Sequence, residues 1–343
     1  MPKQINHILV IRLSAMGDVA MSAPIIRELK SKNPELKITI LTRAFFKPFF
    51  RDIENVHVFE ADLKGRHKGV LGLYRLSKEL KKIQIDAVAD LHNVLRSNIL
   101  KLFINGIPFV QIDKGRASKK ALTSGKIFKQ LKTTHQRYVD VFSQLGFKLN
   151  ISKPIFSKKV ELNVKLNNII SNSKSNIGIA PFAAFQSKAY PLGLMEQVIS
   201  ELSKTKNILL FGGGASETEI LNSIETKYDN VTSLAGKLSL DEELDIISNL
   251  DVMVAMDSGN AHIAAMLGIQ VVTLWGVTHP YAGFYPFNQD IENALLANRE
   301  MYPLIPTSIY GNKFPEGYED AIASIQPDKL IEKIIEVQKK ALQ

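Results

Sequence analysis

The stretch Asp251–Pro280, DVMVAMDSGNAHIAAMLGIQVVTLWGVTHP, decides the fold. Val252 to Met256 is a short apolar run that stops at Asp257-Ser258-Gly259. Its brevity and lack of alternation suit a strand covered on both faces of a parallel sheet. Asp257 and Ser258 are good N-cap residues, Gly259 lets the chain turn sharply, and Ala261 to Leu267 is rich in helix formers and ends before Gly268. Gln270 to Trp275 reads as the next parallel strand. Ligands of such sheets bind outside the carboxyl ends of the strands, where Asp257-Ser258-Gly259 and Gly276-Val277-Thr278-His279-Pro280 both fall. The free N–H groups and dipole of the helix start make an anion site there. Taken alone, the stretch is equally consistent with a plain βαβ unit.

The same alternation continues on both sides. Upstream, the pattern predicts a strand at Ile177–Ala180, a loop Pro181–Pro191, a helix Leu194–Leu202, a strand Asn207–Phe211, a glycine loop Gly212–Gly214 and a helix Glu217–Ile224. Ser239-Leu240-Asp241-Glu242 is a capping box that opens a helix to about Ser248. Downstream, Tyr302–Tyr318 is irregular and an apolar helix near Leu330–Val337 ends the chain. In the first half, strands are expected at His7–Leu13, Lys37–Leu41, Val56–Phe59 and Asp86–Leu91. Helices are expected from near Ser22 to before Pro34, at Leu71–Ile83 and at about His135–Leu145. Gly17-Asp18 therefore falls in a loop after the first strand, and His92, Asn93 and Arg96 follow the fourth. Two doubly wound α/β domains are the natural architecture. The expected division is residues 1–155, a polar linker region 156–175, a second domain 176–325 and a terminal helix 326–343.

At 343 residues, 45% of them hydrophobic, the chain is long enough for two well-cored domains. The lack of cysteine excludes disulfides, thiolate nucleophiles and zinc–sulfur sites. The polar start MPKQINH shows no signal peptide, and no apolar run reaches the roughly 18 residues of a membrane span, so a cytoplasmic location is expected. Charge is uneven: residues 1–150 carry 27 Lys and Arg against 12 Asp and Glu, and the remainder 16 against 22. Such an excess is either a solvated surface or a face for an anionic partner. No nucleic-acid motif accompanies it, so nucleic acid is not the expected partner.

Common sites are mostly absent. Gly212-Gly213-Gly214 opens a helix after a strand, but the third glycine of a dinucleotide fingerprint is replaced by Glu217. No P-loop is present, and the seven histidines are scattered, so neither a metal site nor a cofactor is expected. The chain resembles family 9 glycosyltransferases, the lipopolysaccharide heptosyltransferases. The resemblance rests on Ser14-Ala15-Met16-Gly17-Asp18-Val19, Lys188-Ala189-Tyr190-Pro191, Gly213 to Glu217, and Asp257-Ser258-Gly259 with His262 and Trp275 to Pro280. It implies a GT-B fold of two facing, doubly wound Rossmann-like α/β domains, the first for the acceptor and the second for the nucleotide sugar. It further implies metal-independent transfer with inversion, with ADP-heptose as donor and an anionic lipopolysaccharide-core glycolipid as acceptor. Peripheral contact with the cytoplasmic face of the inner membrane would follow. Two departures stand out: Pro181-Phe182-Ala183 replaces the family's Pro-Gly-Ala, and Tyr190 replaces a tryptophan.

Inverting transfer needs one base for the acceptor hydroxyl and stabilisation for the leaving diphosphate. Asp18 is the candidate base, since an aspartate is ionised at neutral pH and can accept a proton late; a turn aspartate is the plainer reading. Lys188 and the Ser258-Gly259-Asn260 helix start are candidates for the diphosphate. Glu217 either holds the ribose hydroxyls, as the resemblance implies, or serves the helix dipole. Asp257 either binds donor hydroxyls or orders its turn, and His262 either reaches the donor phosphate or is structural. Thr278 belongs to the donor set by the resemblance. Lys64, Arg66, Lys68 and Arg116, in glycine-containing segments, are the candidate acceptor cations. A nucleotide-sugar epimerase of similar fold and a non-catalytic nucleotide- or phosphosugar-binding protein are the competing readings.

Overall fold

The computed structural model describes residues 4–341. They form two compact units, one of the described residues up to Lys114 with Thr134–Ile155, the other of Gly115–Thr133 with the described residues from Phe156 onward. The second unit thus takes in residues 115–133, which the sequence alone assigns to the first domain. The reason is apolar: Leu122 and Leu131 are buried with Ala282, against Ile127, Tyr281, Phe284 and Ile309. The terminal helix, Pro327–Ala341, also belongs to the second unit, where it packs on the helix Leu192–Ser203.

The first unit is organised by a wholly parallel sheet of β1 (His7–Ile11), β2 (Lys37–Thr42), β3 (Val56–Glu60), β4 (Ala87–Asp90) and β5 (Phe109–Gln111). Their order is β3-β2-β1-β4-β5, so the direction of winding reverses between β1 and β4. The second unit carries β6 (Asn176–Ala180), β7 (Asn207–Leu210), β8 (Val231–Ser233), β9 (Val252–Met256), β10 (Gln270–Trp275) and β11 (Ala294–Leu296). These are also all parallel, in the order β11-β10-β9-β6-β7-β8, with the reversal between β6 and β9. Every residue of β4, β6 and β9 is buried, as expected when helices cover both faces of a sheet.

The long elements lie where periodicity expects them except the helix Leu95–Phe103, which no expected element covers; in the Ser239 capping box Glu242 N donates to the Ser239 hydroxyl and Ser239 N to the Glu242 carboxylate. β5, β8 and β11 lie outside the expected elements. Each has three residues at a sheet edge, too few to show a period. Gly17 and Asp18 are in the short helix Met16–Ala20 rather than a loop, because the chain takes one helical turn before the main helix Ala23–Lys32.

Close packing leaves no room at Gly178 in the middle of β6, where a Cβ would lie 2.5 Å from Leu250 Cδ1 and 3.0 Å from Met253 Sδ. Gly178→Ala should therefore destabilise the second unit by about 1–3 kcal/mol, the usual scale for overpacking. Thermal unfolding followed by circular dichroism checks this, and an unchanged midpoint would show that the strand relaxes freely.

Candidate active site

Polar side chains collect at both switch points. In the first unit Arg12 follows β1 and is buried, and its Nη2 pairs with Asp18 Oδ2 at 2.5 Å. Its Nη1 donates to the Leu91 carbonyl, just past β4, at 2.5 Å. One guanidinium thereby ties together the carboxyl ends of the two strands that flank the switch point. The Asp18 carbonyl accepts from the Tyr138 hydroxyl at 3.2 Å, and the Asp18 side chain remains about a quarter exposed, at 26%. Burial opposes the charge of Arg12, but Tyr138 and Asp18 outweigh it and raise its pKa; burial likewise raises that of the Tyr138 phenol.

Across the switch point, Asp90 is fully buried and accepts from His92 N, Asn93 N and Gln111 Nε2, each at 2.9 Å. This fixes the turn that carries His92. Burial first and the positive Arg12 second lower the His92 pKa to about 4, so its imidazole is neutral at pH 7. Arg12 and Tyr138, which the sequence reading does not single out, are two side chains that contact Asp18. Arg12 could have been found as a charge ending an apolar strand, whereas Tyr138 is on an ordinary amphipathic helix and gives no signal.

In the second unit Asp257, directly after β9, binds two groups through one oxygen. Lys188 Nζ is 3.0 Å from Oδ2, and the Thr278 hydroxyl donates to the same atom at 2.9 Å. Lys188 is not a solvated surface lysine but only 9% exposed. Its loop is seated by two glycines. A Cβ at Gly276 would lie 2.1 Å from the Ser187 carbonyl oxygen, and one at Gly311, where φ is +87°, 2.5 Å from Lys188 Cδ. Because Asp257 is occupied in this way, it does not cap the following helix, Gly259–Met266. Ser258 is the N-cap residue without a side-chain capping bond, and its hydroxyl oxygen is buried with no partner. His262 is buried on that helix.

Glu217 stands in the first turn of the helix Ala215–Glu225 and accepts from Gly213 N at 2.7 Å, closing the glycine loop. Tyr190 is fully buried, and its hydroxyl donates to the Ile325 carbonyl at 2.6 Å. It is thus a core residue of the second unit. His279, beside Thr278, stacks edge-on against Phe128 and Tyr281, and burial and Arg299 hold its pKa down at about 4. Near it is a cavity of about 530 Å³ whose lining includes Phe128, Arg299, Leu304 and Phe314.

The candidate acceptor cations divide. Lys64, Arg66 and Lys68 share an exposed loop of the first unit, held by Asp62, which accepts from Gly65 N and Arg66 N at 2.8 Å. Arg66 is paired with Glu79 at 2.6 Å. Arg116 is exposed but begins a helix of the second unit. Among the described residues no group of three or more His, Cys, Asp or Glu is placed to hold a metal ion, and no helix is long and apolar enough to cross a membrane.

Two parallel-sheet α/β units, each with polar side chains at the carboxyl ends of its switch-point strands, have the GT-B fold. The chain belongs to glycosyltransferase family 9 (heptosyltransferase), whose family model matches residues 73–308. It is therefore an enzyme that transfers a glycosyl group from a nucleotide sugar, which sets aside the epimerase and the non-catalytic readings. It is 26% identical to the lipopolysaccharide core heptosyltransferase OpsX of Haemophilus influenzae over 79% of each chain. Its fold matches the family 9 glycosyltransferase of Veillonella parvula with a TM-score of 0.78 at 18% identity, covering 99% of both chains. It also matches Escherichia coli heptosyltransferase WaaC with ADP-2-deoxy-2-fluoro heptose, with a TM-score of 0.67 at 18% identity over 96% of this chain and 99% of the other.

The contact between Gly276 and the Ser187 carbonyl is testable. Gly276→Ala must displace backbone and should lower stability by about 1–3 kcal/mol. Gly213→Ala, where an added Cβ meets nothing within 4 Å, should stay close to wild type. Equal melting temperatures for the two variants would contradict the packing that seats Lys188.

Proposed function

We propose that this chain is an inverting, metal-independent heptosyltransferase that moves heptose from ADP-heptose to a lipopolysaccharide-core glycolipid. The observation that carries the reading is the Asp18 carboxylate, oriented by Arg12 and partly open at the carboxyl edge of the first switch point. The family's heptosyltransferase activity and the WaaC complex with ADP-2-deoxy-2-fluoro heptose support the donor. OpsX, a lipopolysaccharide core enzyme, supports the acceptor class.

In this mechanism Asp18 accepts the proton of the acceptor hydroxyl while that oxygen forms its bond to the anomeric carbon from the face opposite the diphosphate. The C–O bond to the diphosphate breaks through an oxocarbenium-like state, which inverts the centre. Lys188 and the helix start at Ser258-Gly259, with its unpartnered hydroxyl, receive the growing phosphate charge. Asp257, held by Thr278, positions Lys188 before the donor binds and turns to donor hydroxyls as Lys188 moves to phosphate. Glu217 takes the ribose, and His262 the phosphate side of the same helix. Lys64, Arg66, Lys68 and Arg116 are the cations assigned to the phosphates and carboxylates of the acceptor. Work on such an acceptor places the enzyme in the cytoplasm, in peripheral contact with the inner membrane.

Asp18→Asn should keep the fold and the thermal shift produced by ADP but lower turnover by about two to four orders of magnitude. Near wild-type heptose transfer by this variant would remove Asp18 from the mechanism. Because Lys188 and a helix start supply the positive charge, transfer should run at the same rate in EDTA. Activity lost to EDTA and restored by magnesium or manganese would overturn the metal-independent reading.

A further inference from the structure

His92 has no part in the reaction described so far, yet it stands beside the candidate base. Arg12 spans the gap between them, donating to the carbonyl of Leu91 with one nitrogen and pairing with Asp18 through another. The turn is pinned from three directions. Asp90 accepts from the backbone N–H groups of His92 and Asn93. Asn93 adopts the left-handed region, with φ of 44°, and its Nδ2 donates to the Ile112 carbonyl at 2.9 Å.

The ring itself is incompletely satisfied. Nδ1 is enclosed and has no hydrogen-bond partner, in a side chain only 8% exposed. An enclosed N–H without an acceptor is rarer in proteins than an unused lone pair, so the lone pair belongs on Nδ1 and the proton on Nε2. Nε2 is not enclosed in this way and becomes the ring's one donor. The groups acting on the ring are Arg12 and Lys114, which oppose its protonation, and Asp90 and Asp18, which favour it; burial and Arg12 prevail, and the ring stays neutral. A neutral N–H donor next to a cation and a carboxylate suits an oxygen of a polyhydroxylated ligand.

We propose that His92 donates from Nε2 to an oxygen of the acceptor sugar, setting the reactive hydroxyl against Asp18. The proposal rests on the reading of Asp18 as the base. It makes His92 an acceptor-binding residue, with no role in holding the donor.

The test uses the full chain with ADP-heptose and O-deacylated lipopolysaccharide from a heptose-deficient strain. His92→Phe keeps a ring of similar shape without the donor, and should raise the acceptor KM by roughly three- to tenfold, the loss of one hydrogen bond, with the donor KM unchanged. His92→Gln, whose amide nitrogen can take the place of Nε2, should recover most of this. An unchanged acceptor KM in His92→Phe, or a glutamine variant no better than phenylalanine, overturns the proposal. Failure of the base reading would appear separately, as undiminished turnover in Asp18→Asn. Nitrogen-15 spectra of histidine-labelled protein decide the point without turnover: His92, assigned by its loss in His92→Gln, should be neutral and protonated on Nε2 down to about pH 5. A proton on Nδ1, or titration near the ordinary histidine pKa of about 6.5, overturns it.

Discussion

A wholly parallel sheet with helices on both faces has almost nowhere to put a charge. Its strands are dry along their length, and an ionised group buried there would carry a desolvation penalty of several kcal/mol. The carboxyl ends are the exception, and most of all the two neighbouring strands whose connections leave in opposite directions and open a crevice. In this protein that constraint selects β1 and β4 in the first unit and β6 and β9 in the second. Arg12, Asp18, Asp90 and His92 gather at the first pair, and Asp257 follows β9 in the second.

The two sites are built alike. Each pairs a buried cation with a carboxylate, Arg12 with Asp18 and Lys188 with Asp257. The two cations differ in shape. Arg12 is a planar fork that can hold a carbonyl and a carboxylate together, which fixes geometry. Lys188 is a point charge on a flexible stem, confined by Gly276 and Gly311, and suited to exchange one anionic partner for another. Asp257 meets both Lys188 and Thr278 through Oδ2.

The basic first half of the sequence takes on a different meaning once folded. Residues 115–133 contain six cations, Arg116, Lys119, Lys120, Lys126, Lys129 and Lys132, and no acid. All six belong to the second unit, so a charge asymmetry between the halves of the sequence is only partly one between the units. Aromatic rings absorb part of this basic segment's docking: Lys119 Nζ lies 3.9 Å from the centre of the Phe284 ring, and the Arg299 guanidinium 3.7 Å from that of Phe128. Contacts of this kind are worth about 0.5–2 kcal/mol each and tolerate the positive charge that an ordinary apolar core would reject.

The sequence by itself determined the α/β class, most of the long strands and helices, and the positions of Lys188 and Asp257 relative to them, whereas Asp18, expected in a loop, lies in the short helix Met16–Ala20. Those features are local: an apolar run, a glycine or a cap announces itself within a few residues. Tertiary structure alone decided that Arg12 and Tyr138 meet Asp18, because Tyr138 is 120 residues away in sequence and is read there as one more apolar position of a helix. It decided that Tyr190, in the loop before Pro191, is core, through a hydrogen bond to Ile325 across 135 residues. It also decided the membership of residues 115–133, whose leucines could have been buried against either sheet and whose partners, Tyr281, Phe284 and Ile309, lie far along the chain. Hydrophobic periodicity states that a face will be covered, but not by what, because burial is non-directional and the choice of partner rests on shape.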